Sequence, residues 1–294
     1  MQTRFSILCL VVLAFKLAGA TEAARPNVLL ILVDDLKPAL GAYGDPVAIS
    51  PNIDRLAARG MRFDLAYCNQ AICAPSRNNL MLGTRSTTSG LYALGVPLRN
   101  AYPDGITLPQ AFRQSGWKAE SMGKVFHIGH GNTGDPASWS VPHTKDKVID
   151  YVMLESTGGR LTREEAYFTN AKTGVPNKTL PRGAAWERAE VLDDAYADGR
   201  VASVAIDRLR SASRNPDQPF FMAVGFARPH LPFSAPEKYL ALHDWGALPM
   251  PAFEDFPIGA PAYAIKRKGE ITQYKPVPVK GDFSDTLKRT LIHG

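Results

Sequence analysis

The sequence predicts an α/β protein in which a mostly parallel sheet lies between layers of helices. Two continuous apolar segments, residues 27–33 and 219–226, have the composition of strands that are buried on both faces. Helical patterns lie between them, and strands that alternate with helices along a chain are typical of parallel sheets. The 294 residues are sufficient for one large domain or two small ones.

The other elements are predicted from caps, breakers and periodicity. Residues 50–52 favour the start of a helix that Gly60 ends, and residues 198–212 carry apolar side chains on one helical face. Residues 132–185 and 246–283 are rich in turn-forming residues and are predicted to be loops. The predicted helices span residues 53–59, 75–82, 107–114 and 198–212, with another from about 283, and residues 117–122 are a further strand.

The first twenty residues have the organisation of a secretory signal peptide. Arg4 supplies a positive charge, residues 7–15 are apolar, and residues 18–20 have the small-x-small form of a cleavage site. A buried N-terminal helix is the alternative. No later segment is long and apolar enough to span a bilayer. We therefore expect an exported protein, in a periplasmic, secreted or lysosome-like compartment, without a membrane span.

The balance of charge limits the class of ligand. Removal of residues 1–20 takes away Arg4 and Lys16 and no acid, which lowers the formal net charge from +6 to +4. This small and dispersed excess is compatible with an anionic substrate and does not support a nucleic-acid partner. Cys68 and Cys73 then remain, and in an exported protein a disulfide between them is the default interpretation.

Asp34 and Asp35 follow directly after the first predicted strand. Ligands bind beyond the carboxyl ends of strands in open α/β sheets, so a site is favoured at this position. Two adjacent carboxylates repel each other unless a cation lies beside them, and oxygen ligands suit calcium or magnesium. The pair is therefore predicted to bind a metal ion, with a solvated turn as the alternative.

A motif centred on Cys73 gives the strongest functional indication. The segment CAPSR, residues 73–77, is followed by LGTR, residues 82–85. Together they resemble the signature of the type I sulfatase family, and the likeness is greatest for its iduronate-2-sulfatase branch. The resemblance extends over nearly all of the predicted mature chain, through the segments VDDLKPALGAYGD, SPNIDRLA, AICAPSRNNLMLGTR, GKVFH and PFFMAVGFARPHLPF.

This resemblance implies an alkaline phosphatase-like fold and sulfuric-ester hydrolysis, expected on a sulfated carbohydrate. In the family a dedicated formylglycine-generating enzyme oxidises the cysteine equivalent to Cys73 to formylglycine, an aldehyde. One hydroxyl of the hydrated aldehyde attacks sulfur and the second then expels sulfate, which splits one difficult step into two. Cys73 at a helix N-terminus would add backbone donors, and Arg77, one turn along, can hold the oxyanion. The alternative is a structural Cys68–Cys73 disulfide.

The resemblance also implies roles for residues in the second half of the site. Lys124 and His127 are expected to contact the sulfate and the reacting hydroxyls. His230 is expected to protonate the leaving oxygen or to bind the sulfate, because imidazole suits acid–base work near neutral pH. The remaining histidines after the leader are interpreted as structural: His130, His143, His243 and His293.

By the same resemblance, Asp34, Asp35 and the nucleophile at Cys73 are expected to hold calcium, which polarises the sulfate oxygens. The family completes this shell with a later Asp followed by His or Asn and adds another lysine, and no such pair follows His230. Residues 21–294 are thus interpreted as a truncated N-terminal catalytic domain that is incomplete at its C-terminus, and negligible sulfatase activity is expected of it. The alternatives are a phosphate or phosphonate ester hydrolase of the same superfamily and a catalytically dead secreted glycan-binding fragment.

Overall fold

The structure, a computed structural model, describes residues 25–168, 176–264 and 269–294. The predicted signal peptide, residues 1–20, lies outside these ranges. The strands are β1 (Val28–Val33), β2 (Lys118–Gly123), β3 (Trp186–Ala189), β4 (Phe220–Phe226) and β5 (Phe233–Pro236). The helices are α1 (Pro51–Ala57), α2 (Cys73–Leu82), α3 (Ser86–Ser89), α4 (Leu98–Ala101), α5 (Leu108–Gln114), α6 (Leu154–Thr157), α7 (Arg163–Phe168), α8 (Ala197–Ala212), α9 (Glu237–Leu240) and α10 (Asp285–His293).

The main sheet confirms the predicted parallel arrangement. Its strands have the order β1-β4-β2, and both outer strands run parallel to β4. Val33 pairs with Phe226 and Gly123 pairs with Gly225, so the carboxyl ends of the three strands coincide. The segments that leave these strands therefore meet at one edge of the sheet.

Side chains of the sheet alternate between two apolar layers. On one face Phe221 stacks on Phe112 of α5 with ring centroids 4.8 Å apart. On the other face Met222 and Val224 pack against Val201 of α8. Each such side chain contributes about 1.5–3 kcal/mol when fully buried. The expectation of helices on both faces is confirmed, as is the apolar face of the helix over residues 198–212.

Helix α8 covers β2 and β4 but leaves part of β1 open. Leu29 and Ile31 pair with Met222 and Val224, so they lie on the same face of the sheet. Even so, Leu29 and Ile31 are about half-exposed, whereas their partners are buried. In the described part of the chain, this face of β1 therefore has no full cover.

Local capping chemistry correctly located the start of α5. The Thr107 side chain accepts a hydrogen bond from the Gln110 backbone N–H, and the Gln110 side chain accepts one from the Thr107 backbone N–H. Such a capping box satisfies two donors that a helix start otherwise leaves unpaired. No helix in the described ranges is both long enough and apolar enough to cross a membrane.

Several elements of the fold were not predicted, including the short helices α3, α4 and α9. Strands β3 and β5 form a separate parallel pair, with Trp186 opposite Phe233, although neither was predicted. Each has only four residues, too few for a periodic pattern. Helices α6 and α7 lie within residues 132–185, where only loops were predicted.

Candidate active site

Polar segments converge at the carboxyl edge of the main sheet. Asp34 and Asp35 follow β1, and Lys124 follows β2 directly. His230 lies four residues beyond the end of β4. The position is the one that open α/β sheets use for ligands, because loops from adjacent strands meet there.

Asp34 is the centre of a buried ionic network. Its Oδ1 accepts a 2.6 Å hydrogen bond from Nη2 of Arg77, and its Oδ2 accepts one from Nζ of Lys124. All three residues are more than nine-tenths buried. Burial alone would raise the pKa of Asp34, but the two cations outweigh it and lower that pKa to about 2. Asp34 therefore stays ionised near neutral pH and fixes both cations.

The guanidinium of Arg77 is held by backbone oxygens as well. Its Nη1 donates to the carbonyl oxygens of Lys124 and Val125, the latter at 3.0 Å. Its Nε is buried and has no hydrogen-bond partner among the described residues. An unpaired buried donor costs about 1–3 kcal/mol, so this N–H is suited to an anionic ligand.

Two glycines allow the backbone of Lys124 to pass close to β4. A Cβ at Gly225 would lie 2.0 Å from the Lys124 carbonyl oxygen, and a Cβ at Gly123 would lie 2.1 Å from the Gly225 carbonyl oxygen. Gly123 also has φ of 69°, in the left-handed region that favours glycine. Both positions need glycine for Lys124 to reach Asp34.

Cys73 is the first residue of α2, a ten-residue helix. Burial is the main cause that raises the pKa of its thiol, and the lowering effect of Lys124 does not compensate. The unmodified thiol is therefore protonated near neutral pH and is a poor nucleophile. Both Cys68 and Cys73 are free thiols, so the alternative of a structural disulfide between them is wrong.

A cleft of about 500 Å³ lies at this edge of the sheet, between the segment after β1 and the N-terminal part of α2. Asp34, Asp35, Cys73 and Arg77 all line it. Lys124 reaches the same place through its ion pair with Asp34. The cleft thus places the cysteine, two carboxylates and a guanidinium around one space at the N-terminus of α2, where backbone donors favour an anion.

Asp34, Asp35 and His230 form a possible metal-binding group. One ligand atom from each lies within 4.8 Å of the others, and Nε2 of His230 is 3.8 Å from Oδ2 of Asp35. The Asp35 side chain is 57% exposed. Carboxylate oxygens are the donors that calcium prefers, and calcium takes six to eight of them, so this set fits part of a calcium shell. Cys73 lines the same cleft but is not in the group.

His127 and His130 form a hydrogen-bonded pair. Nε2 of His127 lies 3.1 Å from Nδ1 of His130, and the His130 ring stacks on Tyr167 with centroids 5.2 Å apart. Burial, assisted by the Lys124 cation, lowers the pKa of His127 to about 3. His127 is therefore neutral near pH 7. Its buried Nδ1 has no partner among the described residues.

The orientation of His230 is fixed by its backbone neighbour. Its Nδ1 donates to the carbonyl oxygen of Leu231 at 2.7 Å, because a carbonyl can only accept. In the neutral ring Nε2 then carries the lone pair, and this atom faces Asp35. The rings of Phe168 and His230 pack edge to face, with their centroids 4.9 Å apart. Nζ of Lys124 lies over the Phe168 ring, 4.9 Å from its centroid.

Sequence reasoning missed several contributors to this region. His130, interpreted as structural, contacts His127, and its spacing of three residues from His127 was the available signal. Glu270 has a carboxylate oxygen 4.0 Å from Nε2 of His230, although it lies in a segment predicted to be a loop. No local pattern marks Glu270 or Phe168, because their proximity arises from the tertiary fold.

The sheet topology defines an α/β protein with a polar site at the carboxyl edge, which agrees with the alkaline phosphatase-like fold that the resemblance implied. Comparison with known families then identifies the chain directly. The family model described as Sulfatase matches residues 26–244, so the chain belongs to the sulfatase family.

Individual relatives agree with this assignment. The chain is 32% identical to iduronate 2-sulfatase of Homo sapiens over 282 residues, which cover 90% of this chain and 48% of that protein. It is 28% identical to a sulfatase of Formosa agariphila, over 79% of this chain and 45% of that protein. N-acetylgalactosamine-6-sulfatase of Canis lupus familiaris is 37% identical over 42% of this chain and 26% of its own length. The chain thus spans less than half the length of these relatives.

Solved structures support the fold. Phosphonate monoester hydrolase of Agrobacterium radiobacter has a TM-score of 0.52 at 24% identity, over 77% of this chain and 45% of that one. Ps i-CgsB in complex with k-i-k-neocarrahexaose has a TM-score of 0.53 at 20% identity, over 74% of this chain and 48% of that one. At these identities the likeness concerns the fold alone.

Proposed function

We propose that this protein hydrolyses a sulfate ester of a sulfated carbohydrate, with formylglycine made from Cys73 as the nucleophile. The observation that carries the proposal is the position of Cys73, at the N-terminus of α2 in the cleft that Asp34 and Arg77 also line. A protonated, half-buried thiol is a weak nucleophile, whereas an aldehyde at this position would be hydrated to supply the attacking hydroxyl.

Arg77 and Lys124 are the cations that would bind and orient the sulfate. Asp34 holds both of them through buried ion pairs, so their positions are fixed before substrate arrives. Preorganised charges of this kind stabilise developing negative charge without a cost of reorganisation. The Nε–H of Arg77, which has no hydrogen-bond partner among the described residues, adds a donor for a sulfate oxygen.

Asp34 and Asp35 would hold a calcium ion, with the group at position 73 as a further ligand. The bound ion would polarise the sulfate oxygens. Asp35 is exposed and has no lysine or arginine partner among the described residues, so its carboxylate can turn toward a cation at little cost. Asp34 already accepts from two cations, and the remaining lone pairs of its oxygens are available for a metal.

Two histidines would handle protons. His127 is neutral near pH 7 and would exchange hydrogen bonds with the reacting hydroxyls rather than supply charge. His230 has Nδ1 committed to Leu231, so only Nε2 is free to carry a proton toward the leaving oxygen. Its edge-on contact with Phe168 restricts rotation of the ring.

The proposal also includes the substrate class, export and maturation of the protein. Matches to iduronate 2-sulfatase and N-acetylgalactosamine-6-sulfatase favour a carbohydrate substrate. We take residues 1–20 as a signal peptide and residues 21–294 as part of the catalytic domain of an exported protein. Maturation would require a formylglycine-generating enzyme as a transient partner.

The test combines chemistry at position 73 with ester cleavage. The full chain is coexpressed with a formylglycine-generating enzyme, and peptide mass spectrometry should find an aldehyde in place of the Cys73 thiol. At micromolar protein with calcium present, sulfate release from an aryl sulfate should exceed that of Cys73→Ala in proportion to the aldehyde content.

The alternatives give different outcomes in the same experiment. Faster cleavage of an aryl phosphate or phosphonate by the unmodified thiol would replace the proposal with a phosphoester or phosphonate hydrolase. Binding of a sulfated glycan with no ester cleavage above the Cys73→Ala level would favour a glycan-binding protein. A fully alkylatable thiol at Cys73 despite the modifying enzyme would remove the formylglycine claim.

A further inference from the structure

One aromatic ring contacts two residues of the candidate active site that follow different strands. Phe168, at the end of α7, is 4% exposed. Nζ of Lys124, the residue after β2, lies over this ring at 4.9 Å from its centroid. The imidazole of His230, beyond the end of β4, packs at 80° to the same ring, with centroids 4.9 Å apart. Phe168 therefore joins two segments that the sheet alone brings only to a common edge.

The contact with Lys124 is a cation–π interaction in a nearly dry environment. Lys124 is 1% exposed, so water hardly competes with the ring for the ammonium group. The electron-rich face of an aromatic ring attracts a cation, and the attraction is larger when the cation is desolvated. The ammonium has three N–H donors, of which one bonds Asp34. The carboxylate and the ring face thus hold this group from two sides and limit the directions of its remaining donors.

The contact with His230 restrains a second functional group. Nδ1 of His230 already donates to the Leu231 carbonyl oxygen at 2.7 Å. Perpendicular packing of two buried rings leaves little room for either ring to turn. The hydrogen bond and the ring contact together keep Nε2 directed toward Asp35, at 3.8 Å from its Oδ2.

Phe168 is itself held in place by the fold. Its side chain packs with Ile149 and Ala227 in a small apolar cluster. The carbonyl oxygen of the preceding residue, Tyr167, accepts a 3.3 Å hydrogen bond from the His130 backbone N–H. Interior side chains are packed closely, so a ring that is anchored in this way can determine the positions of the groups around it.

We propose that Phe168 is a positioning residue, whose ring face fixes the direction of the Lys124 ammonium and whose perpendicular contact fixes the His230 imidazole. The inference deepens the proposed function and rests on it, because that function assigns sulfate binding to Lys124 and proton transfer to His230. Phe168 acts through these two residues and does not itself contact the reacting atoms. A residue that only filled space in the core would serve equally well with any ring of the same shape.

Fluorinated phenylalanines at position 168 of the full chain test this difference. Fluorine withdraws electrons from the ring face and weakens its attraction for a cation, while the ring keeps nearly the same shape. Replacement of Phe168 by phenylalanine with one, two or three ring fluorines gives a graded series. The same series at Phe112 is the matched control, because that ring stacks on Phe221 at 4.8 Å and has no cation over it among the described residues.

The first readout is the NMR signal of the Lys124 ε-methylene group in the ligand-free protein. Protons over the face of an aromatic ring are shifted upfield, so this signal should lie upfield of those of the exposed lysines. The displacement should shrink with each fluorine added at position 168 and stay constant across the Phe112 series. Phe168→Leu, which removes the ring, should abolish the displacement.

The second readout is the affinity for inorganic sulfate, followed through the Lys124 and His230 signals at constant ionic strength. We expect three fluorines at position 168 to weaken sulfate binding about two- to fivefold, because cation–π contacts contribute at that level. Three fluorines at position 112 should leave the affinity equal to that of wild type.

The outcomes distinguish this inference from the proposed function. If sulfate binds and its affinity does not depend on fluorine at position 168, the positioning role is overturned and the proposed function stands. Equal changes in the Phe168 and Phe112 series would show a general effect on the core and would also overturn the role. If sulfate does not perturb Lys124 in the wild-type chain, the proposed function fails, and the ligand-free Lys124 signal alone decides whether the ring holds the ammonium.

Discussion

Asp34 and Asp35 are sequence neighbours in opposite environments. The Asp34 side chain is 4% exposed and accepts from Arg77 and Lys124, whereas the Asp35 side chain is 57% exposed and faces His230 at 3.8 Å. Asp35 has φ of 55°, a left-handed conformation that Asp tolerates better than most residues. The backbone thus turns at these two residues, directly after β1.

The difference shows that one sequence motif serves two physical purposes. Asp34 holds together α2 and the segment after β2, so it supports the fold as well as the site. Asp35 contributes little to that framework and is accessible to a ligand. A buried charge is costly when it loses its partner, whereas an exposed one is not, and this predicts distinct consequences for changes at the two positions.

The largest effect is expected for Asp34→Ala. The change leaves the buried cations of Arg77 and Lys124 without a counter-charge, so the free energy of unfolding should fall by about 3–5 kcal/mol. Urea denaturation measures it. The matched control Asp35→Asn, which keeps a residue that tolerates the left-handed φ, should stay within about 0.5 kcal/mol of wild type. Equal losses at the two positions would show that the ion pairs do not distinguish them.

Acid should remove part of the same stabilisation. The folded pKa of Asp34 is about 2 against an ordinary value of 3.8, so its contribution is present above pH 4 and is lost as pH falls through 2. This difference corresponds to about 2 kcal/mol. The Asp34 carboxyl carbon, followed by NMR from pH 5 downward, should titrate near 2. A midpoint at or above 3.8 would contradict the ion-pair description.

Calcium should give a smaller and selective effect. At calcium five times its Kd, binding to the folded chain should raise the free energy of unfolding by about 1 kcal/mol. Asp35→Asn, which keeps the shape and removes the charge, should abolish the increase in Tm while it leaves the calcium-free stability unchanged. If wild type and Asp35→Asn respond alike, Asp35 is not a ligand.

The smallest effect is expected for His130→Asn. Asn tolerates the left-handed φ of 53° at this position but removes the ring that bonds His127. Loss of one hydrogen bond should lower the free energy of unfolding by less than about 1 kcal/mol. The ring nitrogen shifts of His127 should change toward a mixture of tautomers. Unaltered shifts would mean that His130 does not orient His127.

Sequence patterns predicted the elements that local chemistry determines. The apolar run before Asp34 formed β1, the Thr107 cap started α5, and the segment around Cys73 formed α2. Each depends on contacts between residues that are close in the chain. The family resemblance predicted in addition that distant residues, such as Cys73 and His230, belong to one site. No local sequence pattern contains that information.

Other parts of the site depend on contacts between distant segments. Arg77 was expected to hold an oxyanion and Asp34 to bind a metal ion. The ion pair between them, which joins residues 43 positions apart, was not predicted. Strands β3 and β5 exist because they pair with each other, and short strands owe their stability to such partners. Glu270 reaches His230 only through tertiary folding.

The strand order of the main sheet also determines when the sheet can assemble during synthesis of the chain. Both β1 and β2 pair with β4, and a hydrogen bond from Phe220 to Asn27 spans 193 positions. Contacts between such distant residues form slowly, because a long loop must close first. Ribosomes add about 5–20 residues per second, so the chain between Gly123 and Phe220 takes roughly 5–20 s to synthesise.

Throughout that interval the sheet edge that later encloses Cys73 does not exist. The thiol then belongs to a chain without its finished cleft and is accessible as part of an unfolded segment. Once β4 joins the sheet, Lys124 is brought to Asp34 and the cleft forms around Cys73. Cys73 is therefore more accessible before β4 joins the sheet than in the finished fold.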